Sequence, residues 1–433
     1  MTPGPLRGFR DYPPPLAGAR SEVRRRMRAA ARRAGYVELE VPTVESFELY
    51  QRKSGEELAS QAWQFTDKGD RQVALVPEQT PSLARIFVER GKSEPLPVKW
   101  FTAGKSWRYE EPQAGRTREF LQFNLDIVGV PGLEAEVDLL ATACLVLDEV
   151  GGAGAYVVRL NDRAVAEGLG RAYGASDVGR FFRAVVRFRR SSPGEFAGEL
   201  EAAGVPPART AEVADLLRGS AAGIPPAEAG AFLRRLGGAT FDAAATDGVT
   251  RLEKLLGLLE RIGLADRVVY DPTVVRGLAY YTSSVFEVFP RSGEGRSVAG
   301  GGRYDHLIEL FGGPPTPAAG LAIGDQTLEG LLREAGRWPD GEPPLDTYVV
   351  AARPELVPEA LALVEKLRRS GVAADVDLLG RSLSRQLREA ARRNCRRALI
   401  VGLREASPGA VVERDLGSGA QREIARDAAA RPA

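Results

Sequence analysis

Between Gly18 and Gly35 the chain is a run of Ala, Arg and other strong helix formers, with a glycine placed to end it, and this predicts a helix. YVELEVP follows, alternating apolar and polar positions up to Pro42, and predicts a strand. Further strands are predicted at 72–76 (QVALV), 98–110 (VKWFTAGKSWRYE) and 120–130 (FLQFNLDIVGV), then a long helix from about Leu133 to Val150. The last two strands flank a polar turn, EPQAGRTRE. On the second of them Phe120, Gln122, Asn124 and Asp126 share one face, and Leu121, Phe123, Leu125 and Ile127 share the other. One face is core and the other a polar platform. Arg108 and Glu110, of equal parity on the first strand, are placed to project onto that platform.

From about 162 to 264 the pattern changes to helix-period segments rich in Ala, Leu, Glu and Arg, broken by PGE, VPPAR and IPPAE. Helices interrupting a strand-rich domain predict an inserted module. Two strand-like runs follow, VVRGLAYYTSSVFEVF and SVAGGGRYDHLIELFGG, and then AAGLAIGDQTLEGLL. RWPDGEPP has three prolines and a glycine in eight residues, which neither element continues, so a linker is expected over 336–344. Beyond it the order strand, helix, strand, helix, strand predicts a small α/β domain over 345–433 with a partly parallel sheet.

The 433 residues carry 59 Lys+Arg against 58 Asp+Glu, so net charge identifies no partner. Local bias does exist: seven of the cations are Lys, and arginines cluster over 20–33 and again over 381–397. Either patch is read as a solvated helix face or as a surface for a polyanion such as RNA. No apolar run approaches the ~20 residues of a membrane span, and the start carries no secretory apolar stretch, so a cytoplasmic address is expected. His306 is the sole histidine, and Cys144 and Cys395 the sole cysteines. A Cys/His zinc site, a Ser-His-Asp system and a disulfide framework are thereby disfavoured, and no protein-ligated metal is expected. Chemistry must rest on arginines, carboxylates, tyrosines and backbone, which suits phosphate reactions.

Three constellations could carry it. Phe120 is a large aromatic on a polar face beside a turn bearing Arg116 and Arg118, so a planar anion could stack there while the arginines hold its charge; the plain alternative is a hairpin with a wet face. Tyr280 and Tyr281 enter an alternating strand after Arg276, a pattern that more often marks packing. Gly300-Gly301-Gly302 ordinarily marks a turn or strand kink and lacks the Lys-Ser/Thr of a phosphate loop.

Taken in order, RGFRDY, VPEQT at 76–80, WRYEEPQAGRTREFLQFNLDIVG, VRGLAYY and GGGRYDHLIELFGG resemble the signature blocks of the histidyl-tRNA synthetase family. VDLLGRSLSRQLREAARRNCRRALIVG is similar to that family's anticodon-binding domain. The resemblance implies an α+β protein. Residues 1–335 would form a class II synthetase antiparallel-sheet catalytic domain with the helical insertion about 162–264, and 345–433 a small α/β anticodon-binding domain. It implies a cytoplasmic homodimer, partly joined through the segment 35–42, that takes ATP with Mg²⁺, L-histidine and tRNA as partners, with no membrane. Arg108 and Glu110 match the motif 2 positions that meet the ATP α-phosphate, Phe120 the adenine-stacking position, and Arg116 and Arg118 the loop positions that meet tRNA and ATP phosphates. Glu78, Thr80 and Gln122 match positions holding the amino acid's ammonium and carboxylate. Asp126 and Tyr281 match those bonding the imidazole, with Tyr280 and Tyr304 lining the pocket. Arg276 matches the arginine that contacts carboxylate and α-phosphate.

Two positions depart from the pattern. Val76 stands where an arginine is common, and Thr327 where motif 3 carries the arginine that clamps the ATP γ-phosphate. Loss of one such contact costs about 1.5–3 kcal/mol, or roughly ten- to a hundredfold in binding. Arg303 or a loop arginine is the expected substitute. The competing readings are a non-catalytic histidine-binding regulatory subunit and a tRNA sensor on the same scaffold.

Overall fold

In the computed structural model, the two strands flanking the EPQAGRTRE turn form one antiparallel hairpin, paired from Val98 with Val128 to Trp107 with Glu119. The structure describes residues 4–430 except 52–59, 91–93, 114, 189–190, 238–239, 276–279, 294, 340, 342–344, 403–408 and 427. The chain divides into two units, the larger comprising 1–13 and 19–340 and the smaller 14–18 and 341–433.

Strands of the larger unit are β1 (Val37–Glu38), β2 (Val44–Ser46), β3 (Gln64–Thr66), β4 (Gln72–Leu75), β5 (Val98–Trp107), β6 (Glu119–Val128), β7 (Tyr156–Asp162), β8 (Val268–Tyr270), β9 (Ser284–Pro290), β10 (Ala299–Arg303) and β11 (Ala318–Gly324). Eight of them form a sheet ordered β1-β5-β6-β11-β10-β9-β7-β8. It is antiparallel through its centre and parallel only where β1 meets β5 and β8 meets β7. β2, β4 and β3 make a small antiparallel sheet. Alternation along β6 settles which face is core. Phe123, Leu125 and Ile127 join Phe101, Val158 and Phe286 of neighbouring strands, and they pack with Leu139, Leu140 and Leu147 of the helix Glu134–Glu149. Asn124 and Asp126 are buried on the opposite face, and Gln122 is half-buried there.

Four expectations are corrected. The strand read from YVELEVP shrinks to Val37–Glu38, because it pairs only with β5 and both residues are exposed. The strand expected over 98–110 ends at Trp107, and Arg108 makes only an isolated bridge with Ala62. Tyr280 and Tyr281 precede β9 instead of entering it. The triple glycine is neither turn nor kink but the buried middle of β10, paired on both sides. Its glycines are there for lack of room: a Cβ on Gly302 would lie 2.6 Å from both the Ser284 carbonyl oxygen and Tyr281 Cδ1.

Between β7 and β8 run, among the described residues, six helices, from Arg163–Ala172 to Ala243–Arg261. The prolines that break the sequence pattern open the next helix: Pro193, Pro207 and Pro226 are each its first residue, where a missing N–H costs nothing. Asp162, Asp177 and Asp242 cap helix N-termini, and Ser192 with Glu195 forms a reciprocal capping box. Phe181, Phe196, Leu200, Val213 and Leu217 give the module its own core.

The smaller unit contains β12 (Thr347–Ala351), β13 (Ala374–Val376), β14 (Arg397–Val401), β15 (Ala410–Asp415) and β16 (Gln421–Ala425) in the order β13-β12-β14-β15-β16, parallel within its first three strands and antiparallel beyond. Val349, Leu399 and Val401 pack under the helix Val357–Arg369, and Tyr348, Val350 and Ile400 under the helix Leu383–Arg392. Burial on both faces is why β12 and β14 read as unbroken apolar runs.

Candidate active site

The polar face of β6 orders its side chains along a line: Phe120, Gln122, Asn124, Asp126. Six residues of strand span about 20 Å, long enough for an extended pair of ligands. A pocket occupies its Phe120 end and a buried polar cluster its Asp126 end.

At the Asp126 end, residues distant in sequence converge. Tyr304, just past β10, donates its hydroxyl to Asp126 Oδ1, and Tyr280 donates to Glu78 Oε1. The rings of Tyr280, Tyr281 and Tyr304 pack against one another, with centroids 5.0, 5.7 and 6.5 Å apart. Glu78 and Thr80 arrive at the start of the helix Thr80–Arg90, and Asn124 Nδ2 lies 3.4 Å from Thr80 Oγ1. Asp126 is 1 % exposed and Glu78 5 %. Burial pushes the Asp126 carboxyl up to about 7; the Tyr304 hydrogen bond opposes this, and the Glu78 charge adds to it. Burial and the neighbouring carboxylates likewise hold the Tyr280 and Tyr304 phenols well above their usual range, so both stay donors. Glu78 Oε2, Asp126 Oδ2, Asn124 Oδ1 and both amide atoms of Gln79 are buried with no protein partner. Such groups are costly unless a ligand pairs them. Three phenol rings packed about two buried carboxylates, each with an unpartnered oxygen, suit a small cation carrying several N–H donors and a flat ring.

Glycines make that close packing possible. Gly320 on β11 stands opposite Asp126 on one side and Gly302 on the other. A Cβ on Gly320 would fall on the Asp126 carboxylate and the Tyr304 hydroxyl. Sequence reasoning singled out the GGG run but passed over Gly320, whose setting in AAGLAIG carries no distinguishing signal.

At the other end Arg108, Glu110, Arg116 and Phe120 line the pocket with Gly115, Thr117 and Gly324 to Thr327. The Arg108 guanidinium carbon lies 5.4 Å from the centroid of the Phe120 ring, and its Nε donates to the Pro77 carbonyl at 3.0 Å. That bond ties this pocket to the segment carrying Glu78. Glu110 pairs with Arg116. Asp325 accepts from the Leu121 backbone N–H at 3.1 Å and pairs with Arg20, whose guanidinium stacks 3.7 Å from the Tyr12 centroid. Gln122 accepts from Ser106 Oγ at 3.2 Å between the two ends. An aromatic face flanked by arginines fits a flat base bearing phosphates.

Not every expected residue joins them. Arg118 does not line this pocket; its guanidinium lies 4.0 Å over Tyr109 and its Nε donates to the Glu110 carbonyl at 3.1 Å. Arg276 lies outside the described residues. Arg303 is 4 % exposed and bonded to both Glu136 oxygens, to the Val130 and Gly132 carbonyls and to Asp305, so it cannot stand in for the motif 3 arginine. His306 is exposed and does not line the pocket. In the basic patch at 20–33, Glu22 pairs with Arg25 and Arg26, Glu38 with Arg28 and Arg32, and Glu149 with Arg33, as expected of a solvated helix face.

Comparison with known proteins agrees with this geometry. The family model described as histidyl-tRNA synthetase matches residues 8–328, and the anticodon binding domain model matches 346–431. The chain is 38% identical over 427 residues to a histidine–tRNA ligase of Halorubrum lacusprofundi, covering 97% of this chain and 95% of that one. It is 36% identical over 420 residues to the ligase of Thermoplasma volcanium, with the same coverages. Its fold also matches the crystal structure of histidyl-tRNA synthetase from Nostoc sp. PCC 7120, with a TM-score of 0.82 at 24% identity, covering 99% of this chain and 98% of that one.

Proposed function

The chain belongs to the histidyl-tRNA synthetase family, and from that premise we propose that it is a histidine–tRNA ligase, making histidyl-adenylate from histidine and ATP and passing the histidyl group to the 3′ end of tRNA. The observation that carries this reading is the line along β6, which joins a buried carboxylate-and-phenol cluster to an aromatic-and-arginine pocket. Asp126 and Tyr281 bond the imidazole, and Tyr280 and Tyr304 close round it. Glu78, Thr80 and Gln122 hold the ammonium and carboxylate, and Phe120 stacks on adenine. Histidine bound this way presents its carboxylate toward Arg108. A carboxylate oxygen forms a bond to the α-phosphorus while the bond from that phosphorus to the bridging oxygen breaks and pyrophosphate leaves. The nucleophile is already ionised, so no histidine base is needed. Arg108, Arg116 and Arg276 neutralise the charge that builds. In the second step a ribose hydroxyl of tRNA attacks the carbonyl carbon and AMP departs.

Mg²⁺ fits this pocket, since it takes one or two protein carboxylates and completes its shell with phosphates and water, and Glu110 lines the cavity. When bound it would neutralise phosphate charge. The catalytic domain is read as 1–335, the insertion as about 162–264, and 345–433 as the anticodon-binding domain, with the active form a cytoplasmic homodimer.

ATP–pyrophosphate exchange with each of the standard amino acids tests the proposal. Exchange that depends on histidine alone is expected; histidine binding without exchange would favour the regulatory or sensor reading.

A further inference from the structure

The nucleotide pocket has a charge deficit. Its charged lining among the described residues is Arg108, Arg116, Glu110 and Asp325, two cations against two anions. Glu110 is engaged by Arg116 and Asp325 by Arg20, so the surplus positive charge facing a polyphosphate rests on few groups. Thr327, where the family pattern places an arginine, contributes a neutral hydroxyl whose Oγ1 donates to the Gly324 carbonyl at 3.2 Å.

One arginine from a different part of the chain comes close to Gly115 on the same rim. Arg296 precedes β10 and crosses to the loop after β5, where its Nη2 donates to Gln113 Oε1. The Gly115 Cα faces two side chains at once: a Cβ built there would lie 3.5 Å from Thr327 Cγ2 and 3.8 Å from Arg296 Cδ. Gly115 lines the pocket and has a φ of 71°, a conformation suited to glycine that lets both neighbours approach its backbone. The stem of Arg296 therefore reaches the rim beside Thr327, and rotation about its terminal bonds carries the guanidinium over the pocket mouth.

Resting on the ligase reading above, we propose that Arg296 binds the outer phosphates of ATP, filling from the β9–β10 connection the place that motif 3 leaves empty at Thr327. A guanidinium suits the task because it is charged at all relevant pH values and donates two parallel bonds to phosphate oxygens. Gln113, a neutral acceptor, is one of its partners, and that bond gives way to a doubly bonded phosphate.

The test uses the full chain. Arg296→Ala is expected to raise the KM for ATP in pyrophosphate exchange by about ten- to a hundredfold, the usual loss for one charge-assisted contact. The KM for histidine and the melting temperature should stay at wild-type values, and Arg296→Lys should lose less. Adding Thr327→Arg to Arg296→Ala should restore ATP affinity, since it returns the cation from the opposite wall. Calorimetric titration of ATP reads the same loss without catalysis, so this assignment can be judged even if wild-type exchange, and with it the ligase reading, fails. An unchanged ATP affinity in Arg296→Ala would overturn the proposal. So would a parallel rise in the KM for histidine, or a defect that Thr327→Arg leaves untouched.

Discussion

Asp126 shows how one residue's surroundings set its chemistry. An aspartate in an unfolded chain loses its proton near pH ~4, whereas burial holds this one to about 7. Between those values the folded protein keeps a proton that the unfolded chain has released. Stability therefore falls as pH rises through that window and levels off above it. Asp126→Asn removes the titration. The ligand-free variant should gain on wild type in melting temperature as pH is raised from about 5 to about 8, and a pH-independent difference would show that the group is not held up. The cost has a use: once ionised, the carboxylate is poorly solvated and attracts a ligand N–H strongly. That Glu78, Asp126, Tyr280 and Tyr304 belong to one cluster was legible in the order of the sequence blocks. That Tyr304 is the donor to Asp126, and Tyr280 to Glu78, was not, because those pairs are 178 and 202 residues apart.

At the scale of elements, β6 and β10 are instructive in opposite ways. The period-2 alternation of FLQFNLDIV predicts the two faces of β6 correctly, because a strand with one wet pocket and one core face must alternate. β10 misleads, since AGGGR has no side chains to alternate and its glycines read as a turn. Its small residues are needed because the neighbouring strand and the Tyr281 ring approach its backbone closely. Gly302→Ala should accordingly lose about 1–3 kcal/mol in chemical denaturation, as overpacked cores do. Gly330→Ala is the control: it lies in the helix Asp325–Glu334 with nothing within 4 Å of the new methyl group, so it should gain about 0.5–1 kcal/mol. Similar behaviour of both variants would contradict the packing account.

The whole molecule is two units with separate apolar cores, one around β5, β6, β7 and β9, the other on both faces of β12 and β14. The pocket at Phe120 and the carboxylate-and-phenol cluster both lie within the first. A fragment ending at Pro339 is therefore expected to retain histidine-dependent pyrophosphate exchange while losing most of its tRNA charging efficiency. Loss of exchange in a fragment with native circular dichroism would place part of the amino-acid site elsewhere. The balance of 59 cations against 58 anions looks different at this scale too. Arginines at 20–33, read either as a solvated helix face or as a polyanion surface, are mostly paired with Glu22, Glu38 and Glu149, partners up to 116 residues away that composition could not assign.

By itself the amino-acid order determined the elements whose signals are local: the helix Leu16–Arg33 to within two residues at each end, the hairpin with its polar face, the helices between the proline breaks and the alternating α/β tail. It also determined family membership, since the ordered blocks are a one-dimensional property. Tertiary structure alone decided which glycines clear the ligand's space, that Arg303 is spent on Glu136, and that Arg296 reaches the pocket rim beside Thr327. These depend on distances between segments far apart in the chain, and closing such contacts is a property of the packed fold that no local periodicity encodes.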